Sequence, residues 1–262
     1  MVYLDQRGQG ASQGSYSAED VTLQQFSDDI YALAKFLKQK YGQDISLFLM
    51  GHSWGGTTGT HALLNTNLQN EIKGWMEVDG AHDIPLLNKE AIKLFIEIGN
   101  QEIAASNNVE TWQEIVDFAN SVDTNNISSD EGGQINGYGH QAEGILSQIT
   151  ESEGGTASHG LLTSPIASVA GLTAGTSTAN AIFEETEQAS MTNELHKITI
   201  PSIFLWGKYD FVVPPSLGVS AYDRVSSTDK ELVIFEHSGH SPMDNEADLF
   251  SSKVIDFIEL HK

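Results

Sequence analysis

A serine, an aspartate and a histidine, each shortly after an apolar segment, are the residues of this chain that could carry out nucleophilic catalysis. Ser53 lies in the sequence GHSWG, Asp210 in WGKYD and His240 in SGHSP. A serine hydroxyl attacks a carbonyl carbon well only when a base takes its proton, and an imidazole oriented by a carboxylate is such a base. We therefore predict an acyl-enzyme mechanism with Ser53 as nucleophile, His240 as general base and Asp210 as the carboxylate that orients it.

The surroundings of Ser53 are typical of the sharp strand-to-helix turn that exposes a nucleophile. Residues 46–50 are mostly large and apolar, and residues 57–64 can form a helix directly after the G-x-S-x-G motif. Glycines two positions before and after the serine are expected to leave room for the close approach of strand and helix. The backbone N–H of Trp54, the residue after the nucleophile, is then predicted to bind the oxyanion.

Each of these assignments has an alternative. Ser12 also lies in a G-x-S-x-G sequence, but polar and glycine-rich residues precede it where a strand is required. Asp79 follows another apolar segment and is the alternative acid to Asp210. His237 comes three residues before His240, yet the sequence SGHSP favours His240.

One histidine lies near two aspartates and could suggest a metal site. His82 is close in sequence to Asp79 and Asp83, but all three share one loop with no fourth partner in view, so we interpret His82 as structural. We expect neither a metal nor an organic cofactor, because the predicted mechanism needs none. The remaining histidines are interpreted as turn, cap or surface residues: His52, His61, His140, His159, His196 and His261.

The catalytic candidates must be positioned by the strands that precede them. Apolar segments predict strands at residues 1–4, 46–50, 74–78, 202–206 and 231–235. Helical periodicity predicts helices at residues 20–41, with Ser17 or Thr22 as cap, and at 57–64, 89–105, 109–122, 141–149 and 245–260. Alternating strands and helices predict an α/β fold with a parallel sheet covered on both faces. Ligands gather at the carboxyl ends of such strands, which is where the three candidates lie.

The pattern changes between two of the later strands. Residues 84–197 are predicted to form a helical cap, inserted between core segments at 1–83 and 198–262. Residues 154–181 are rich in Gly, Ala, Ser and Thr, and no structure is assigned to them. The core would carry the chemistry and the insert would cover it.

Composition narrows the classes of partner. The formal net charge of −23 over 262 residues argues against nucleic acid and against anionic membrane surfaces. The absence of cysteine leaves the compartment open, no apolar run is long enough to span a membrane, and the N-terminus shows no signal peptide. The location is therefore left unknown, with the cytoplasm as the default expectation because any signal peptide would precede Met1. We expect a small ester, amide or short peptide as substrate; the oligomeric state is left open.

Four motifs carry a resemblance to a known family. Residues 2–12 (VYLDQRGQGAS), the GHSWGG elbow, the WGKYD acid motif and the SGH base motif resemble the α/β-hydrolases, more narrowly the capped branch that includes the proline iminopeptidases. The resemblance implies an α/β-hydrolase fold and a serine hydrolase activity. It also implies an alternative, an aminopeptidase whose cap carboxylates pair with the free amine of the substrate.

The resemblance has one departure. The family's first strands, and the His-Gly loop that supplies the second oxyanion N–H, would precede Met1 and are absent here. We therefore expect an incomplete copy of a longer hydrolase, whose remaining oxyanion donor is Trp54. Loss of one such donor costs roughly 3–4 kcal/mol of transition-state stabilisation. A truncated, inactive scaffold that acts as a binding protein is the further alternative.

Overall fold

In the described part of the chain, four parallel strands form one sheet. The computed structural model describes residues 1–7, 12, 17, 20–149, 182 and 185–262. The strands are β1 (Phe48–His52), β2 (Gly74–Val78), β3 (Ser202–Gly207) and β4 (Lys230–Phe235), and they lie side by side in that order. All three pairings are parallel, so the carboxyl ends of all four strands meet at one edge. The predicted parallel sheet is confirmed.

Helices connect the strands and cover them. In the described residues they are α1 (Leu23–Tyr41), α2 (Trp54–Asn65), α3 (Ile84–Ala104), α4 (Val109–Ser121), α5 (Ser129–Ile145), α6 (Pro215–Arg224), α7 (Pro242–Asn245) and α8 (Ala247–His261). Helix α1 begins where the Thr22 hydroxyl accepts the Gln25 N–H at 3.1 Å, and it ends at Gly42, whose φ of 115° suits glycine. Within these residues, no helix combines the length and apolar character needed to cross a bilayer.

Successive side chains of β2 point to opposite faces of the sheet. Trp75 packs in one apolar cluster with Leu63 of α2 and Leu217 of α6. Met76 packs on the other face with Phe257 of α8. Because helices cover both faces, the two central strands are buried on both sides, and most of their side chains are apolar.

Helices α3, α4 and α5 form a helical layer with a core of its own. Phe95, Trp112 and Ile135, one from each helix, are fully buried there. Phe211, which follows β3, joins this cluster, and its ring lies 6.0 Å from that of Phe95 and 5.8 Å from that of Trp112. The residue next to Asp210 is thus packed into the helical layer.

The predicted strand at residues 1–4 is wrong. These residues form no strand, and Met1, Val2 and Tyr3 are 98%, 56% and 68% exposed. Apolar composition favours a strand only where a neighbour completes the hydrogen bonds and buries the side chains. Among the described residues β1 pairs only with β2, so the segment has no such neighbour.

Several helix boundaries also differ from the prediction. Helix α3 begins at Ile84 because the Asp83 carboxylate accepts the Leu86 N–H at 3.0 Å. Helix α5 begins well before the predicted 141–149, at a capping box formed by Ser128 and Glu131, and its many glycines weaken the periodic signal. Helix α6 was not predicted. The unassigned stretch 154–181 lies outside the described residues.

Candidate active site

Ser53 occupies the sharp turn between β1 and α2. Its backbone has φ 54° and ψ −114°, a conformation that L-residues adopt only under strain. The turn is held on both sides, since Ser53 N–H donates to the Val78 carbonyl at 3.0 Å and the Ser53 carbonyl accepts the Ala81 N–H at 3.1 Å. The predicted strand–turn–helix context of the motif is therefore present.

The close approach at this turn requires a different pair of glycines from the one predicted. A Cβ on Gly51 would lie 2.2 Å from the Gly55 carbonyl oxygen, and one on Gly56 would lie 2.3 Å from the Gly80 Cα. A Cβ on Gly55 would meet nothing within 4 Å. The prediction was correct for Gly51 and wrong for Gly55, because the first turn of α2 directs Gly56 toward the loop after β2.

Ser53, His240 and Asp210 lie in hydrogen-bonding contact. His240 Nε2 is 2.8 Å from Ser53 Oγ, and His240 Nδ1 is 2.9 Å from Asp210 Oδ2. The Asp210 Oδ1 atom accepts the backbone N–H groups of Val212 at 2.9 Å and Val213 at 2.7 Å, which fixes the carboxylate. Because Nδ1 donates to Asp210, Nε2 is left as an acceptor for the serine proton.

The side chains of His240 and Asp210 are buried, and burial shifts the pKa values of both. Burial lowers the pKa of His240, an effect that the neighbouring carboxyl groups of Asp79 and Glu143 partly offset, so the imidazole is neutral near pH 7, as a general base must be. Burial and the Glu143 charge raise the pKa of Asp210, while the Val213 and Val212 amides oppose that rise. The catalytic roles of the three residues stay a prediction.

Asp79, the alternative acid, lies beside Asp210 without bonding to His240. Its Oδ1 accepts the Gly207 N–H at 2.9 Å, and its buried Oδ2 has no hydrogen-bond partner in the described part of the chain. Burial, followed by the charge of Asp210, raises the pKa of Asp79 well above its usual value. Asp210 receives three N–H groups and Asp79 one, so Asp79 is the carboxyl that keeps its proton.

Ser12 and His237, the competing candidates for nucleophile and base, lie away from this contact. Ser12 is exposed, and its hydroxyl donates to the Asp5 carbonyl at 2.5 Å. His237 is exposed, and its backbone N–H donates to Glu246 at 2.9 Å. The geometry therefore keeps Ser53 and His240 as the candidates that meet.

Two histidines interpreted as turn, cap or surface residues contact the base instead. His52 Nε2 donates to the His240 carbonyl at 2.7 Å, and the two rings lie 4.8 Å apart. His140 of α5 lies edge-on to His240 with ring centres 6.3 Å apart. Burial, followed by the charge of His240, lowers the pKa of both His52 and His140. His52 precedes the serine within the motif, which was the one available signal; His140 had none.

Glu143 is a further residue that the sequence did not reveal. It lies on α5, and its carboxylate accepts the backbone N–H of Phe211 at 3.0 Å and that of His240 at 3.0 Å. Burial raises the pKa of Glu143, and the two amides oppose that rise. No local pattern marks it, since its partners lie far away in the sequence.

A buried pair supports the loop that contacts the Ser53 turn. His82 Nδ1 lies 2.7 Å from Glu77 Oε1, with both side chains buried. Between them in sequence, Ala81 donates to Ser53, and the Ala81 carbonyl accepts the Thr57 hydroxyl at 2.6 Å. His82 is thus engaged with Glu77, and Asp83 caps α3.

Trp54, the predicted oxyanion donor, is the first residue of α2. Backbone N–H groups in the first turn of a helix have no partner within the helix and point toward a bound anion. The Trp54 ring is held separately: its Nε1 donates to Gln6 at 2.9 Å and it lies edge-on to Phe26. The backbone N–H is oriented by the turn, not by the ring.

One set of side chains has the spacing of metal ligands. Each of His52, Asp79 and His240 has one ligand atom, and these atoms lie within 4.8 Å of one another. Both ring nitrogens of His240 and the Nε2 of His52 already take part in the hydrogen bonds described above. We therefore assign no metal to these residues.

The sequence and the fold match known proteins. Residues 1–247 match the family described as alpha/beta hydrolase fold. The chain is 23% identical to a proline iminopeptidase of Saccharolobus solfataricus, over 99% of this chain and 76% of that protein. It is 23% identical to a probable aminopeptidase of Bacillus subtilis, over 96% of this chain and 77% of the relative. An esterase from Exiguobacterium antarcticum has the same fold, with a TM-score of 0.55 and 16% identity over 96% of this chain and 79% of its own.

Proposed function

Because the chain belongs to the alpha/beta hydrolase fold family, we propose that it is a serine hydrolase that cleaves an ester or amide bond of a small substrate. The observation that supports the proposal most directly is the hydrogen-bonded series from Ser53 Oγ to His240 to Asp210, at 2.8 and 2.9 Å. It combines a nucleophile, a neutral base and an orienting carboxylate at the carboxyl ends of three strands.

In the acylation step Ser53 Oγ forms a bond to the substrate carbonyl carbon while His240 Nε2 takes its proton. The imidazolium that forms is stabilised by the Asp210 carboxylate at Nδ1, and Asp210 itself stays ionised. His240 then gives the proton to the leaving alcohol or amine as the carbonyl–heteroatom bond breaks. An acyl-enzyme on Ser53 results.

The negative charge that develops on the carbonyl oxygen needs a donor close to Ser53. The Trp54 N–H, at the start of α2, fits this requirement, and the helix dipole adds partial positive charge there. Water deprotonated by His240 then attacks the acyl carbon, and Ser53 Oγ leaves with the proton that His240 returns. The cycle restores the starting groups with one water consumed.

The helical layer is proposed to act as the cap of this site, within the insert of residues 84–197. Helix α5 contacts both loops that carry the base and the acid and brings His140 to within 6.3 Å of the His240 ring. Side chains of such a layer would border the acyl or leaving group and so determine which substrates fit.

Hydrolysis of short p-nitrophenyl esters tests the proposal. We expect saturable release of p-nitrophenol by the wild-type protein and its loss in Ser53→Ala, with Ser12→Ala as the matched control that keeps activity. A folded wild-type protein that hydrolyses neither esters nor amides would contradict the proposal and would favour the binding-scaffold alternative.

An aminopeptidase activity is the second candidate. It is favoured by two relatives named as a proline iminopeptidase and a probable aminopeptidase, each aligned over almost the whole chain. Prolyl and alanyl naphthylamides should then be cleaved faster than their N-acetylated forms, because a free α-amine would be required. Equal rates on free and acetylated substrates would reject this candidate and leave the esterase or amidase.

A further inference from the structure

We propose that Glu143 is a positioning residue that holds the loop carrying Asp210 and the loop carrying His240 in register, and so couples the helical layer to the site. The kinetic consequence of this bridge rests on the proposed function; the bridge itself does not. Nothing in the predicted mechanism requires a third carboxylate here, which is why its engagement needs an explanation.

Each oxygen of Glu143 holds a different loop. Oε1 accepts the N–H of Phe211, the residue directly after Asp210, at 3.0 Å. Oε2 accepts the N–H of His240 itself at 3.0 Å. One carboxylate on α5 therefore fixes the backbone at the acid and at the base simultaneously, which sets the relation between their side chains.

The surrounding backbone is shaped to admit this carboxylate. A Cβ on Gly239 would lie 2.4 Å from Glu143 Oε2, so a larger residue here would have to displace the carboxylate from the bridge. On α5, a Cβ on Gly139 would lie 2.8 Å from the Phe211 carbonyl oxygen, so this glycine lets the helix lie against the loop after β3. Glycine lowers helix propensity, and at position 139 it permits close contact between α5 and the loop after β3.

The hydrogen bonds of Glu143 also argue against a role in binding the substrate. Both oxygens are used by backbone amides of the protein, and the side chain is half-buried. A carboxylate that pairs with a substrate amine needs an oxygen available to the substrate. Glu143 is instead hydrogen-bonded to His240 and to Phe211, the residue after Asp210, and its charge lies close enough to affect the pKa of His240.

Glu143→Gln is the direct test, with Glu97→Gln as the charge-matched control on an exposed position of α3. The amide of glutamine has one acceptor and one donor, so it must direct N–H toward one of the two backbone N–H groups. Hydrogen exchange at the amides of Phe211 and His240 should then be faster by about 10- to 100-fold, as expected for losing a bond to a charged group. Unchanged exchange at both amides would overturn the proposal.

The kinetic readout separates positioning from folding. With ester substrate, Glu143→Gln should lower kcat by roughly 10- to 100-fold with KM little changed, because the base is misplaced while the binding surface remains. Glu97→Gln should leave both constants unchanged. An unchanged kcat in Glu143→Gln would reject the coupling to the site.

Gly239→Ala provides a second, independent perturbation that keeps the carboxylate. Its methyl group should displace Glu143 and produce the same faster exchange at Phe211 and His240. In the Glu143→Ala background the added methyl should have a much smaller effect, since the side chain it meets is gone. Equal effects in both backgrounds would overturn the bridge. Should the wild-type protein fail to hydrolyse any ester or amide, the proposed function fails, whereas the exchange data still decide the bridge.

Discussion

Replacing Asp210 by asparagine tests which of two buried carboxyl groups, Asp210 or Asp79, orients the base His240. In the wild-type protein Asp210 Oδ1 accepts two backbone N–H groups at 2.9 and 2.7 Å, and Oδ2 accepts His240 Nδ1–H at 2.9 Å. An asparagine keeps its oxygen on the two amides and turns its NH₂ group toward His240. Nδ1 must then become the acceptor, and Nε2 carries the proton.

That tautomer cannot take the proton from Ser53, although the geometry is unchanged. In serine triads this substitution lowers kcat by about 10⁴-fold, or about 5 kcal/mol of barrier. Asp79→Asn is the matched control, since a neutral amide replaces a carboxyl that burial and Asp210 keep protonated. We expect at most about a tenfold change in kcat for it.

The assay is steady-state ester hydrolysis by both variants, with circular dichroism to verify folding. We expect a large loss of kcat in Asp210→Asn and a near-normal kcat in Asp79→Asn. The reverse pattern would show that Asp79 orients the base and would refute the reasoning from hydrogen-bond number.

Three further predictions concern stability. The folded protein keeps the Asp79 proton that the unfolded chain loses above about pH 4, so the free energy of unfolding should fall as pH rises from there. Asp79→Asn should remove much of that fall, as measured by urea unfolding. The same pH slope in the variant and the wild-type protein would contradict this prediction. Burial alone would lower the pKa of His82, but Glu77 raises it above its usual value, so the pair stabilises the fold below about pH 6.5 and this stabilisation is lost as pH rises through the folded pKa. Glu77→Gln should therefore lower the free energy of unfolding more at about pH 6 than at about pH 9. An equal loss at both pH values would count against the ion pair. Gly56→Ala should lower the free energy of unfolding by about 1–3 kcal/mol or more, because its methyl group clashes with the loop after β2. Gly55→Ala, with open space around the added methyl group, should be neutral or stabilising. Similar Tm values for the two variants would show that the loop moves to accommodate the methyl group.

The sequence predicted what depends on local patterns. The turn around Ser53 could be recognised because strand, motif and helix are contiguous, and the ends of later strands drew attention to Asp210 and His240, which the fold brings into contact with it. The parallel sheet followed from the same alternation, and the predicted strand at residues 74–78 coincides with β2.

What the sequence did not predict depends on contacts between distant segments. Glu143 lies 97 residues from its partner His240, on a glycine-rich helix whose propensity is poor. His52 was within the motif, but its bond to the His240 carbonyl spans 188 residues. Residues 1–4 have strand-forming side chains and no strand beside them, so propensity was overridden by tertiary context.

The central claim is that Ser53 is an activated nucleophile. Treatment with a fluorophosphonate, followed by intact mass and peptide mapping, should give a single adduct on Ser53 in the wild-type protein and none in Ser53→Ala, with labelling much slower in Asp210→Asn because His240 no longer takes the serine proton. A folded wild-type protein that gains no adduct, or one labelled at Ser12 while Ser53 stays free, would contradict the account.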